Sequence, residues 1–403
     1  MKQPKLRFPE FTEDWIPYKL NNICEKITDG SHHSPSEVKN GYPMPSVKNM
    51  LPNGFDIENS KKISKHDYEL LCSQGCKPEI GDVVVAKDGS VLKYAFEIKK
   101  SEPIVILSSI AIMKPNHSIL DGGFLAQSIT VPHFKERIIA ENTTGTGVPR
   151  IVLANFKNIF ISLPKIEEQQ KIASLFTELD ILIQSAEKEL EGYRELKQGM
   201  LQKMFPKKGE TVPEIRFPEF NGDWELCKLG DIGSVSMCRR IFKGQTTESG
   251  DIPFYKIGTF GGKADAYISK DLFEEYKTKY PFPKIGDILI SASGSIGRTV
   301  EFNGESAYFQ DSNIVWLNHD ERVDNSFLKQ FYSIVKWSGL EGSAIKRLYN
   351  DNILKTEISL PSLDEQKKIG NYFSNLDNLI ASQQQELDGY KELKKGLLQQ
   401  MFC

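Results

Sequence analysis

The sequence predicts an α+β chain built twice: two globular α/β segments, each running into one long helix, with the two helices paired as an antiparallel coiled coil about a pseudo-two-fold axis. Three observations predict it. Residues 163–205, LPKIEEQQKIASLFTELDILIQSAEKELEGYRELKQGMLQKMF, return at 360–402 as LPSLDEQKKIGNYFSNLDNLIASQQQELDGYKELKKGLLQQMF, with about 24 of 43 positions identical and no gap. A second pair of near copies opens each half, LRFPEFTEDWIPYKL at 6–20 and IRFPEFNGDWELCKL at 215–229. Between head and tail each half is rich in β-branched, aromatic, Gly and Pro residues, the composition of short strands and turns with a few helices.

The helices follow from apolar residues spaced alternately by three and four. In the first copy these are Ile172, Leu175, Leu179, Leu182, Ala186, Leu190, Tyr193, Met200 and Met204; in the second, Ile369, Tyr372, Leu376, Leu379, Leu387, Tyr390, Leu397 and Met401. So narrow a stripe is a coiled-coil seam that needs a partner helix, and the other copy is the obvious one. A purely structural stalk is the alternative reading of such helices. The linker 206–213 holds two prolines and a glycine and is too short for a parallel return, so the second helix runs back along the first, giving a dumbbell with both termini at one end.

Within the globular segments, IGDVVVA at 80–86 and IGDILISA at 285–292 read as buried strands, the latter followed by a glycine-rich SGSIGR loop. GTGVPR at 145–150 answers GSAIKR at 342–347 just before each long helix. The middles do not match: SHHSPSEVKNGYPMPSVKNM in the first half has no counterpart in CRRIFKGQTTESGDIPFYKIGTFGG of the second. Either one scaffold carries two different reading surfaces, or these are variable surface loops on duplicated domains.

Composition excludes several classes. At 403 residues, 39% hydrophobic and 26% charged, the chain has ordinary globular usage and room for two or more cores. No run has the apolar length of a membrane span, and MKQPKLRFPEF lacks the plan of a secretory signal, so the expected location is cytoplasmic. Cys24, Cys72, Cys76, Cys227, Cys238 and Cys403 lack disulfide-framework spacing, and Cys72 with Cys76 has no second ligand pair; reduced thiols and no metal are expected. There is no Walker A sequence, GxSxG, HExxH or kinase signature, nor an Asn-Pro-Pro-Tyr-like tetrad of the amino-methylating enzymes. His32 and His33 beside Asp29 lack a nucleophile or metal partner, so a loop or contact role outweighs that of a general base. No chemistry is expected from this chain.

The order RFPEF…DW…L, divergent middle, IGD strand, then LP…EQ(Q/K)KI…LD…EL…GY…ELK…G(M/L)LQ…MF, written twice, resembles the specificity subunit of a type I restriction-modification system over essentially the whole chain. The likeness is strongest in the helices and weakest in the middles. It implies two target recognition domains, 1–162 and 207–359 (with 207–213 as linker), each reading one half of a bipartite double-stranded DNA target. It implies spacer helices at 163–206 and 360–403 that act as a ruler and bind two modification subunits. The implied complex methylates adenine with S-adenosylmethionine and, with restriction subunits, cleaves DNA using ATP and Mg; those cofactors belong to partner chains. Forty helical residues extend ~60 Å, comparable with ~18 base pairs. A noncatalytic protein-binding scaffold and a self-contained restriction enzyme are the alternatives; the absent methyltransferase and nuclease motifs weigh against the latter.

A net charge of −3 is poor for a lone nucleic-acid binder. Local clusters compensate: Lys48, Lys61, Lys62 and Lys65 flank the first middle, while Arg239, Arg240, Lys243, Lys256 and Lys263 populate the second. Interleaved among them are residue types suited to base edges, His32 and Asn49 in the first half and Gln245, Thr246 and Thr259 in the second. Arg150, Arg298 and Arg347, from the framing glycine-arginine segments, complete the candidate DNA-binding set. Lysine clusters on solvated faces are the competing reading for any single member.

Overall fold

The computed structural model describes residues 3–142, 149–337 and 347–402. Residues 145–148 and 342–346, the glycine-bearing parts of the aligned segments before each long helix, lie outside the described residues. The chain divides into two compact units, 1–187 with 385–403, and 188–384. Each unit thus contains the head and the start of one long helix together with the end of the other.

The first unit is built on a four-stranded antiparallel sheet ordered Cys24–Asp29, Ile110–Pro115, Val83–Ala86, Ala95–Glu97. The second has the same order, Gly233–Ser236, Ile314–His319, Ile288–Ser291, Thr299–Glu301. Antiparallel sheets with helices packed on them make the class α+β. The IGD motifs differ from their expected role. The strands begin at Val83 and Ile288, and Ile80 and Ile285 are 64% and 76% exposed. Gly81 (φ +89°) and Gly286 (φ +91°) take the left-handed conformation, and the Asp82 and Asp287 carboxylates accept the Glu79 and Lys284 N–H groups at 2.8 and 2.7 Å. Isoleucine and glycine therefore form a turn, and the buried strand follows it.

The inserted middles differ in fold as they do in sequence. The first unit carries two small antiparallel pairs, Tyr42–Met44 with Lys61–Ile63 and Met50–Leu51 with Gly54–Phe55. The second carries a three-stranded sheet, Tyr267–Ile268, Ile252–Tyr255 and Tyr308–Phe309, with a parallel pairing of Phe254 to Tyr308.

The repeated helix starts are explained by contacts that also repeat. Strand Ile16–Lys19 pairs with Phe160–Leu163, and Glu225–Lys228 with Glu357–Leu360 in the same register, so each Leu-Pro step ends a ladder. The helices, Ile166–Lys203 and Leu363–Gln400, start after it with two acidic residues in the first turn, as the helix dipole favours. Arg7 forms a two-pronged pair with the buried Glu168 at 2.7 Å, and Arg216 does so with Glu365 at 2.7 and 2.8 Å. Gln169, fully buried, accepts the Asp121 N–H and donates to the Ile119 and Pro164 carbonyls; Gln366 repeats this with Asp324, Arg322 and Pro361. Lys171 and Lys368 pair with Glu10 and Glu219 and lie over the Phe8 and Phe217 rings. The EQ(Q/K)KI motif is thus a clasp joining helix to head, with every buried polar atom of its glutamine satisfied.

In the first unit Asp180 pairs with Lys394 (2.5 Å) and Glu187 with Lys391 (2.7 Å); in the second Lys197 pairs with Asp377 (2.5 Å). Within the first unit the two segments therefore run in opposite directions. The expected seam is corrected in phase. Leu182 and Leu379 are 44% and 46% exposed, whereas Phe176 and Phe373 are fully buried and Ile183 and Ile380 half-buried. Positions 172, 176, 179, 186 and 190 are buried, with half-buried 183 completing the spacing. Adjacent apolar residues, Leu175-Phe176 and Leu182-Ile183, allow either phase, and packing on the globular core selects the phenylalanine. At the helix ends Phe402 packs among Trp15, Phe124 and Phe176, and Phe205 among Trp224, Phe327 and Phe373.

Candidate nucleic-acid interface

In the first unit the strand Cys24–Asp29 delivers Asp29 to the sheet end, and the strand Val83–Ala86 delivers the next two residues, Lys87 and Asp88, beside it. Lys87 is 1% exposed, with Nζ 3.1 Å from Asp29 Oδ2 and 3.7 Å from Asp88 Oδ1. Each carboxylate carries a second partner on its outer side: His32 Nε2 lies 3.3 Å from Asp29 Oδ1, and Arg150 Nε 3.2 Å from Asp88 Oδ1. The buried ammonium therefore ties together two candidate contacts, His32 and Arg150, that are far apart in sequence. Lys87 and Asp88 were missed by sequence reasoning; the available signal was AKDG, a charged pair closing a run of buried valines.

The other candidates of this unit are split between fastened and outward groups. Asn49 accepts the Ser46 N–H at 3.1 Å and donates to the Asn59 carbonyl at 3.2 Å, closing the turn that leaves Lys48 exposed. Lys61 donates to Ser34 Oγ at 2.7 Å and to the Pro35 carbonyl, pinning the SHHSPS loop. Lys62 lies beside it on the same strand and is half-buried.

In the second unit Arg240, Lys243, Thr246 and Lys256 are brought together around a cleft of about 480 Å³ that also includes Phe242 and Gln310. Arg240 Nε is 2.8 Å from Asp311 Oδ2, and Lys256 Nζ is 2.8 Å from Asp265 Oδ1. Thr246 donates to the Lys243 carbonyl and Thr259 to that of Lys256. Arg239 lies over the Tyr280 ring at 5.2 Å. Arg298 reaches the Gly261 carbonyl at 3.2 Å, and Arg347 reaches that of Ser312 at 2.8 Å, a residue held at φ +55°. Arg150 and Arg347 occupy matching places, each bridged by backbone to the end of the corresponding strand segment, at Asp88 and Ser293. Lys65 pairs with Glu69 at 3.7 Å and Lys263 is exposed.

Among the described residues the surroundings offer positive charge. Burial pushes the Cys24 and Cys238 thiols up to about 12 and raises the Tyr308 phenol, so none of these ionises near neutral pH. Among the described residues no cluster of three His, Cys, Asp or Glu side chains is placed to hold a metal. Several cations are neutralised by a carboxylate within the chain, which leaves fewer free charges than the sequence count implied.

The family described as type I restriction modification DNA specificity domain matches this chain twice, over residues 12–192 and 221–389. A Haemophilus influenzae protein, named as a candidate type I restriction enzyme specificity subunit, is 44% identical over 372 residues, which cover 89% of this chain and 91% of the relative. The MjaVIII specificity subunit of Methanocaldococcus jannaschii is 27% identical over 98% of this chain and 92% of its own length. The crystal structure of the S subunit from M. genitalium superposes with a TM-score of 0.65 at 15% identity, covering 100% of this chain and 99% of that one. A chain from a type I R-M system structure gives 0.56 at 17% identity, covering 98% of each. With its duplicated frame, its paired unlike inserts and a family match over most of both halves, the chain belongs to the type I restriction-modification DNA specificity subunits.

Proposed function

We propose that the two units each read one half of a split double-stranded DNA sequence, that the long helices form an antiparallel coiled coil setting the gap between the halves, and that the chain performs no chemistry. The observation that carries this is one frame with two inserts. Sheet order, clasp and helix contacts repeat between the units, while the segments bearing the candidate DNA contacts differ in both sequence and fold. A surface that varies on a fixed scaffold is where recognition is placed.

Support for docking of two copies of one partner comes from the helices. Glu189, Gly192, Leu196 and Gly199 in the second unit recur as Glu386, Gly389, Leu393 and Gly396 in the first, at alternating spacings of three and four. Both leucines are exposed, and a Cβ at any of the four glycines meets nothing within 4 Å. Each mid-helix glycine costs about 0.5–1 kcal/mol relative to alanine, and packing within the chain requires none of them. Two like faces suit two modification subunits, whose helices approach closely where side chains are small. S-adenosylmethionine would be held by those subunits, and ATP with Mg by restriction subunits. No helix among the described residues is long and apolar enough to cross a membrane; we place the complex in the cytoplasm with its DNA.

Methylome sequencing of a host expressing this chain with its modification partner is expected to show methyl-adenine in a two-part motif. Replacing residues 20–145 by the matching segment of a relative should change one half of that motif and leave the other intact. A swap that altered both halves in an assembled complex would refute independent reading. Loss of all sequence preference, with assembly retained, would leave a protein-binding scaffold.

The ruler has its own test. Four residues inserted after Ala186 and four after Gln383 keep Asp180 with Lys394 and Lys197 with Asp377, and lengthen each helix by ~6 Å. The preferred gap should grow by about one to two base pairs, with twist and bend absorbing the remainder, measured as methylation of a library with fixed half-sites and a variable gap. An unchanged gap in an active complex would assign the spacing to the modification subunits instead.

A further inference from the structure

The loop from Arg239 to Thr247 fastens the polar groups that its sequence offers for base reading. The Gln245 side chain accepts the Phe242 N–H at 2.9 Å and donates to the Tyr276 hydroxyl at 3.4 Å. The Thr246 hydroxyl donates to the Lys243 carbonyl at 2.9 Å, Arg240 is held by Asp311, and Arg239 lies over Tyr280. Thr247 exchanges backbone hydrogen bonds with Tyr267, both 2.9 Å, which anchors the far end. What this rigid loop presents outward is a ring. Phe242 is 64% exposed at the start of the turn Lys243–Gln245, while its apolar neighbour Ile241 packs inward on the core of the unit. A fastened loop that holds an aromatic ring in water leaves most of its transfer free energy unrealised until a partner covers it.

We infer that Phe242 is a specificity-determining residue of the second unit and reads the C5 methyl group of a thymine in the major groove. The inference rests on the reading of that unit as a DNA-recognising one. Base edges in the major groove display hydrogen-bond donors and acceptors and a single apolar group, the thymine methyl. A loop whose Gln245 and Thr246 side chains are paired internally and whose ring is exposed is matched to the apolar feature. Lys243, exposed beside the ring, is placed to meet a phosphate. With Ile241 turned inward the ring stands alone, whereas prising a base step apart calls for an apolar wedge that repays the lost stacking.

The test uses the assembled complex and duplexes carrying its methylated motif, with each thymine of the second half-site replaced in turn by deoxyuridine, which lacks the methyl. Competition binding should show one position where the wild type loses about four-fold, the value of one buried methyl group. F242A should bind the thymine duplex about four-fold more weakly and no longer distinguish thymine from deoxyuridine there; F242L should retain part of the preference. Substitutions in the first half-site should act alike on all three proteins, and unchanged circular dichroism would confirm folding. The inference is overturned by a second half-site without thymine, or by deoxyuridine being neutral at every position while scrambling that half-site still abolishes binding. A Phe242-dependent rise in 2-aminopurine fluorescence would make the ring a wedge, and loss of subunit assembly in F242A would place it on a protein interface; either result also overturns it. Binding indifferent to scrambling would instead sink the recognition reading of the unit itself.

Discussion

Phe402→Ala is expected to destabilise the first unit by about 3–5 kcal/mol, the usual cost of truncating a buried phenylalanine. Phe402 follows the long helix that ends at Gln400, and its ring sits against Trp15, Phe124 and Phe176 with centroids 6.4, 5.4 and 5.8 Å away. Those rings belong to the head, to the helix Gly122–Thr130 and to the start of the first long helix, so one side chain closes three elements. Phe205→Ala should do the same to the second unit, through Trp224, Phe327 and Phe373. For a unit of this size the midpoint should fall by on the order of 10 °C. Calorimetry should separate the two: each variant lowers one transition and spares the other. A single transition shifted equally by both variants would show that the units melt as one.

Lys87→Met should cost about 3 kcal/mol and weaken discrimination in one half-site. Removing the ammonium leaves the Asp29 carboxylate, 9% exposed, and that of Asp88 without their shared cation, and breaking a buried pair from one side is costly. The carboxylates that aim His32 and Arg150 are then no longer held in place by a shared cation. Competition binding should show weakened preference in the half read by the first unit and none lost in the other, since the second unit has Ala292 and Ser293 at the matching places. Adding Asp29→Asn and Asp88→Asn to Lys87→Met should recover stability without recovering preference, because no charge remains buried but the outer groups are still unaimed. Recovery of both would reduce Lys87 to a structural residue.

The candidate site was legible in kind and only partly in detail. Arg150 and Arg347 could be found because each follows a glycine-bearing segment aligned in the two halves, and alignment is a property of the string. Gln245, Thr246 and Asn49 are residue types that suit base edges, yet in the fold their polar atoms close turns three to ten residues away. Residue type alone does not reveal that, since an amide in a loop meets its own backbone as readily as a base. Lys87 was hidden because its partners lie 58 residues upstream and immediately downstream, and only the pairing of strands brings the former near.

The duplication, the two helices, the class of the fold and the split between constant frame and variable insert were determined by the sequence alone, because helical periodicity and internal repetition are local or self-referential signals. Tertiary structure decided the rest. It chose Phe176 and Phe373 over Leu175 and Tyr372 for the buried face, turned IGD from strand into turn, made EQ(Q/K)KI a clasp on Arg7 and Arg216, and carried the end of each helix into the core of the opposite half. In each case several local choices were close in free energy, and the contact that broke the tie came from residues distant in sequence, whose approach no periodicity encodes.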